Sequence, residues 1–518
     1  MRKVKILWTD DEIDVLKSQI LFLREKGFLV ETATNGDDAI ECVKENDFDL
    51  IFLDEHMPGL SGLETLKIIK NLAPDIPVIM ITKSEAENIM DEAIGSNIED
   101  YLIKPVNPHQ ILLSIKKNID QKRLVTEKTT ADYQSEFGKI SMKINSAREF
   151  SDWVGIYREL VHWQLELEKS GDNSMAEVLM HQETEANNEF GKFIRVHYPT
   201  WFEKSESERP LLSPDLFARK IIPLLDRGEK VVLILVDNLR FDQWKAIYPS
   251  VTDYFRIDVE EMYCSILPTA TQYSRNAIFS GLMPLKIQQL YPEFWVFDEE
   301  EKGKNLWEKE LLEKQFERTS KNYPFNYEKI NNLTAGKKMV ENISDHLQQP
   351  LFVAVYNFID MLSHARTEIE LIRELANDES AYRSLTISWF QHSSLIELIK
   401  TLANHDIKLI ITTDHGSVRV QDPVKVIGDR STSTNLRYKH GRNLNYDSKE
   451  VFEVKEPDRV LLPKSNVSSR YIFAMNDDFF AFPKNYNHYV KYYRNTIQHG
   501  GISMQEMLIP FIILSPAG

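Results

Sequence analysis

Six side chains beyond residue 226 are of types that bind divalent cations, and each falls at or near a break in an apolar run. Asp237 ends "KVVLILVD", Asp360 follows "PLFVAVYNFI" with His364 four residues later, and Asp414 and His415 follow "IKLIITT". His499 stands before the glycines of "QHGG", which lead into the last apolar run, "MLIPFIIL". Ligands of an α/β sheet gather at the carboxyl ends of its strands, and Asp and His are both good metal ligands. Thr271, in "PTATQY", precedes an expected helix start, where backbone N–H groups favour an anion. By number and type, Asp237, Thr271, Asp414 and His415 supply one cation, and Asp360, His364 and His499 a second. Oxygen and nitrogen ligands with several imidazoles favour Zn²⁺ over Mg²⁺, with Mn²⁺ left open.

A second set of acids lies near the start. Short apolar runs, "VKILW", "FDLIFLD", "PVIMIT" and "DYLI", alternate with amphipathic stretches such as "DVLKSQILFLREKG", the rhythm of a βαβ sheet. Asp10, Asp11, Asp54, Thr82 and Lys104 all follow such runs and are expected at one edge of a parallel sheet. Three carboxylates there repel one another unless they share a hard cation, and Mg²⁺ fits. Asp54 would be a nucleophile toward a phosphoryl donor, Lys104 a counter-charge, and Thr82 a hydroxyl that follows the new phosphate. With Met57, Pro58, Gly59 and Gly62 in "FLDEHMPGLSGLETL", residues 1–121 resemble the receiver domain of bacterial response regulators. The resemblance implies a CheY-like, doubly wound, five-stranded parallel sheet, Tyr101 as the switch aromatic, and phosphorylation of Asp54 by a sensor histidine kinase.

A chain of 518 residues exceeds what one core supports, so an α/β multidomain protein is expected. Residues 122–225 are rich in Glu, Lys and Gln, with apolar residues at helical spacing as in "WVGIYRELVHWQLELEK". Breaks at "SGDNS" and "SESERPLLSP" suggest a connector bundle of about three helices that transmits or dimerises. No helix-turn-helix module with a basic recognition helix follows the receiver-like region, and the net charge is −17, so duplex DNA is not an expected partner. Two cysteines, Cys42 and Cys264, exclude a disulfide scaffold and suit a reducing cytoplasm. Acids interrupt "MRKVKILWTDDE" before a signal-peptide core forms, and no apolar run approaches the roughly 20 residues that cross a bilayer, so a cytoplasmic chain without membrane insertion is expected.

Residues 226–518 resemble the PglZ domain of the alkaline phosphatase superfamily. The superfamily's order of metal-ligand Asp, nucleophile loop, Asp-x-x-x-His, Asp-His-Gly and late His recurs as Asp237, Thr271, Asp360 with His364, Asp414 with His415, and His499. This implies an alkaline-phosphatase-like α/β sandwich in which two Zn²⁺ ions about 3.5–4 Å apart clamp a phosphoryl group. Thr271 would be the nucleophile, through a phosphothreonine intermediate. "PTATQY" resembles the Pro-Thr-x-Thr loop of nucleotide pyrophosphatase/phosphodiesterases, and the sulfatase Cys/Ser-x-Pro-x-Arg signature is absent, which favours a nucleotide or oligonucleotide phosphodiester. The basic stretch "DRSTSTNLRYKHGRN", with Arg430, Arg437, Lys439, His440 and Arg442, is expected either to hold a second phosphate or to be a solvated loop. Residues 286–346 read as a helical insertion or cap. Receiver, bundle and PglZ domain together are similar to PorX-type response regulators, which implies a phosphorylation-linked homodimer and a role in type IX secretion. The competing expectation is a zinc-stabilised interaction module that recruits a sigma factor or secretion component, for which Thr271 would be dispensable.

Overall fold

In the computed structural model, short buried strands alternate with helices through two units; the residues described are 4–74, 76–83, 98, 100–171, 173–297, 300, 303, 305–376, 378–429 and 432–517. The first unit comprises residues 1–133 with 170–172, and the second 134–169 with 173–518.

In the first unit, β1 (Lys5–Thr9), β2 (Leu29–Ala33), β3 (Leu50–Asp54), β4 (Val78–Thr82) and β5 (Asp100–Ile103) form a parallel sheet in the order β2-β1-β3-β4-β5. Every residue of β3 and β4 is buried, the reason "LIFLD" and "VIMIT" are continuously apolar up to their last residue. Helices α1 (Lys17–Glu25), α2 (Gly36–Glu45) and α3 (Gly62–Leu72) cover the faces: Ile20 and Leu23 of α1 pack with Trp8 and Phe52, while Ala39, Leu63 and Leu66 of α2 and α3 pack with Leu7 and Leu53. Ser61 caps α3 in a reciprocal pair with Glu64. A Cβ on Gly62 would lie 2.4 Å from the Asp54 carbonyl oxygen, so only glycine lets this helix start so close to the end of β3.

Three long helices follow, α4 (Pro108–Ser146), α5 (Phe150–Ser170) and α6 (Asn173–His197). α5 buries Trp153, Ile156, Tyr157, Leu160, Val161 and Leu167, one face at helical spacing. α6 docks within the second unit through Asn187, which accepts from the Met504 amide at 2.8 Å and donates to Gln505 at 3.0 Å.

The main sheet of the second unit is mixed: β6 (Val231–Val236), β7 (Phe255–Cys264), β8 (Phe325–Ile330), β9 (Leu351–Tyr356), β10 (Lys408–Thr412) and β11 (Leu508–Pro516) in the order β7-β11-β10-β6-β9-β8. β10, β6, β9 and β8 run parallel, and β11 is antiparallel to both neighbours. The carboxyl ends of β6, β9 and β10 and the start of β11 therefore share one edge. Residues 286–346 are not simply a helical cap, because β8 lies within them as the edge strand; its half-polar sequence "FNYEKI" matches a strand buried on little more than one side. Among the described residues no helix is long and apolar enough to cross a membrane.

Candidate metal centres and the receiver site

The sheet of the first unit brings its acids together. One carboxylate oxygen each from Asp10, Asp11 and Asp54 lie within 4.8 Å of one another. Lys104 Nζ is 2.8 Å from both Asp10 Oδ2 and Asp54 Oδ2. Burial, reinforced by Asp10, pushes the Asp54 carboxyl above its usual range although Lys104 opposes this. Burial also opposes charge on Lys104, but its two carboxylate partners win and hold the ammonium above its ordinary value. Asp54 Oδ1 is buried without a hydrogen-bond partner, an arrangement a divalent cation would satisfy. Thr82 ends β4 and is buried, and Tyr101 on β5 is 39% exposed.

In the second unit Asp237, Asp414 and His415, all buried, offer ligand atoms within 4.8 Å of one another. Asp237 follows β6 directly, while Asp414 and His415 follow β10, its parallel neighbour. His415 Nδ1 lies 3.0 Å from the Gly416 carbonyl oxygen, which can only accept, so in the neutral imidazole that a metal requires this nitrogen carries the proton and Nε2 presents the lone pair. That Nε2 is 3.7 Å from Asp237 Oδ1, 3.8 Å from Asp414 Oδ2 and 3.1 Å from the Thr271 hydroxyl. Thr271 opens helix α7 (Thr271–Ser280), as its sequence context suggests. Gly416 is forced: a Cβ there would meet the Gln505 carbonyl oxygen at 2.0 Å. Burial drives the Asp237 carboxyl well up, whereas Arg275 and His415 overcome burial at Asp414 and hold it down. Asp237 Oδ1 has no hydrogen-bond partner, a buried carboxylate oxygen that fits a cation and little else.

Asp360 and His364 lie on α8 (Phe358–Glu368), which follows β9, and form a second trio with His499. The two Asp360 oxygens are each 3.5 Å from an imidazole nitrogen, Oδ2 from His364 Nε2 and Oδ1 from His499 Nε2. His499 is fixed by its Nδ1, 3.2 Å from the Thr269 carbonyl oxygen, and the Thr269 hydroxyl in turn donates to Gly501 and accepts from the Gly500 amide. Burial, with His415 nearby, pushes His499 down to about 4, leaving it neutral near pH 7 as a metal ligand must be. The rings of His415 and His499 stack with centroids 4.3 Å apart, so the trios adjoin. The donor set suits Zn²⁺, with two carboxylates and an imidazole in one trio and one carboxylate and two imidazoles in the other.

Among known proteins, residues 216–514 match the BREX system PglZ alkaline phosphatase-like domain, more than half of the chain. The chain belongs to the PglZ alkaline phosphatase-like family. Residues 123–202 match the PorX response regulator linker domain and residues 6–116 the response regulator receiver domain, the organisation of a PorX-type response regulator. The transcriptional regulatory protein ZraR of Klebsiella oxytoca is 36% identical over 138 residues, 27% of this chain and 31% of that protein. ResD of Bacillus subtilis, also a transcriptional regulatory protein, is 32% identical over 114 residues, 22% of this chain and 47% of that one. The chain thus spans about a third of the length of ZraR. A CheY-like receiver domain protein from Methanospirillum hungatei is 28% identical over 23% of this chain and 96% of its own, with a TM-score of 0.23. A receiver domain protein from Clostridium thermocellum is 31% identical over 23% of this chain and 98% of its own, also at 0.23.

The basic stretch corrects one expectation. Arg437 is fully buried, its guanidinium pairing with Glu506 at 2.6 and 3.2 Å and donating to the carbonyls of Met475, Asn476 and Asp478. Lys439 is buried too, its Nζ donating to the Ser433 carbonyl at 2.9 Å and lying over the Phe482 ring. His440 is buried and stacks on Tyr471, and Arg442 is exposed and pairs with Asp429 at 3.3 Å. Arg430 lies outside the described residues. Sequence reasoning missed Arg275, in the middle of α7, which is wholly buried among the acids of the first trio.

Proposed function

We propose that the chain is a phosphorylation-controlled phosphodiester hydrolase with Thr271 as its nucleophile. The observation that carries this is the Thr271 hydroxyl at a helix N-terminus, 3.1 Å from His415 Nε2 and beside two adjoining trios of ligand-type side chains. Asp237, Asp414 and His415 would hold one Zn²⁺, and Asp360, His364 and His499 the other. Bound there, the ions would supply charge neutralisation and a lowered pKa for a hydroxyl nearby. Thr271 would lose its hydroxyl proton and attack phosphorus, the P–O bond to one alcohol would break with that alcohol leaving protonated, and the amides opening α7 would face the phosphoryl oxygens. The resulting phosphothreonine ester would be hydrolysed by water in a second step.

A cavity of about 510 Å³ beside the second trio supports an aromatic-bearing diester of nucleotide type. His364 and His499 form one wall, while Tyr438, Tyr492, Asn435 and Gln498 supply rings and amides to the others, suited to stacking on and hydrogen bonding a base. Mg²⁺ held by Asp10, Asp11 and Asp54 would assist phosphoryl transfer from a sensor histidine kinase to Asp54, shifting a homodimer equilibrium that controls the hydrolase. The PorX-type organisation supports a cytoplasmic role in type IX secretion.

The test is hydrolysis of bis(p-nitrophenyl) phosphate by the zinc-loaded chain beside Thr271→Ala. Turnover by the parent that falls at least about 10³-fold in the variant supports the reading. Absence of turnover in the parent despite two bound zinc ions would move the weight to an interaction module.

A further inference from the structure

Arg275 has no part in the chemistry proposed above, yet it lies at the centre of the site. It follows Thr271 by four residues on α7, so the two side chains share one face of the helix. Its guanidinium is fully buried: Nε is 3.0 Å from Asp414 Oδ2, and Nη2 pairs with Asp237 Oδ2. From behind, Nη1 reaches Asn357 Oδ1 at 3.2 Å and Glu308 Oε1 at 3.3 Å. Glu308, itself buried, is held by Lys329 at 2.8 and 2.9 Å and by the Tyr327 hydroxyl at 2.8 Å. The fork therefore engages one oxygen of each carboxylate. Of the two left over, Asp237 Oδ1 has no hydrogen-bond partner and lies 3.7 Å from His415 Nε2, while Asp414 Oδ1 accepts from the His415 amide at 3.1 Å. The second trio has no such device: among the described residues the ion pairs of Asp360 are with His364 and His499.

We propose that Arg275 is the positioning residue of the first cation site. Its planar fork fixes the Asp237 and Asp414 carboxylates, leaving Asp237 Oδ1 facing His415 Nε2 while the His415 amide and the Thr413 hydroxyl hold Asp414 Oδ1, and ties both carboxylates to the helix that carries Thr271. A bare counter-charge would not require this shape: a lysine ammonium can bridge two carboxylates, as Lys104 does, but cannot hold both in the plane of a fork that is anchored from behind on Asn357 and Glu308. The inference rests on the reading that the first trio binds a cation.

The experiment uses the full chain, stripped with a chelator, with zinc titrated against a fluorescent chelator and the visible spectrum recorded with Co²⁺. Arg275→Lys keeps the charge and loses the fork. A His364→Ala background removes the second site so that the first is read alone. The variant is expected to weaken zinc at the first site about 10–100-fold, to change its Co²⁺ spectrum, and to leave the second site as in the parent. Wild-type affinity and spectrum in Arg275→Lys would overturn the proposal, since charge alone would then suffice. Should Arg275→Lys fail to fold, Glu308→Gln loosens the guanidinium from behind, with a smaller loss of zinc affinity expected at the same site; an unchanged affinity there overturns the proposal. A parent chain that binds no zinc would refute the cation reading itself and the inference with it.

Discussion

Replacing Arg437 by Gln separates a structural arginine from a substrate-binding one. In the structure the guanidinium makes a two-pronged pair with Glu506, both side chains fully buried, and caps the carbonyls of Met475, Asn476 and Asp478. Glu506 is shared with the Gly501 amide at 2.9 Å and the Ser503 hydroxyl at 2.7 Å, close to His499. Breaking a buried pair by removing one partner costs about 3–5 kcal/mol, because the other charge is left uncompensated. In a unit of several hundred residues, with an unfolding entropy of about 2.1 cal/mol/K per residue, that lowers the melting temperature by roughly 4–6 °C. The assay is thermal unfolding of the zinc-loaded full chain, with zinc content and the KM for bis(p-nitrophenyl) phosphate measured on the same samples. The expected result is a clear loss of stability, with weaker retention of the zinc held by His499. A variant that melts like the parent while its KM rises many-fold would refute this reasoning and return Arg437 to the substrate.

Asp54→Asn should abolish labelling by acetyl phosphate, and Asp10→Asn should raise the Mg²⁺ concentration required, both read by phosphate-affinity gel electrophoresis; equal labelling of Asp54→Asn and parent would exclude Asp54 as the acceptor. Burial raises Glu183 of α6 to about 8 from an ordinary 4.5, with Glu379 and Asp242 adding to the rise and Arg383 and Arg240 opposing it. A carboxyl raised on folding holds its proton in the folded state after the unfolded chain has lost it. Its contribution is therefore complete below about pH 4.5 and is lost as pH rises toward 8, at no more than about 1.4 kcal/mol per pH unit. Glu183→Gln should flatten that part of the stability profile in urea melts, and an identical slope in both proteins would contradict the assignment.

The ligand-type acids were legible because each ends a run whose residues are all or nearly all buried, and such a run cannot continue through a carboxylate. Parallel neighbours β6 and β10 then carry Asp237 and Asp414 to one edge. His499 was legible through the glycines beside it. Arg275 was not, since an arginine in mid-helix reads the same whether it faces water or two buried carboxylates supplied from 38 and 139 residues away. Arg437 misled for the same reason: a cluster of basic residues does not reveal that one of them meets Glu506, 69 positions on. β8 was hidden because an edge strand needs only one apolar face, and its polar residues resemble a helix surface.

The central claim is that the Thr271 hydroxyl attacks phosphorus, and trapping the ester tests it most directly. The zinc-loaded chain would be mixed with bis(p-nitrophenyl) phosphate, quenched in acid within milliseconds to seconds and mapped by peptide mass spectrometry. A phosphoryl ester confined to Thr271, and absent from Thr271→Ala, is the predicted result. Turnover that proceeds with no modified Thr271 at any quench time, or that survives in Thr271→Ala, would contradict the account.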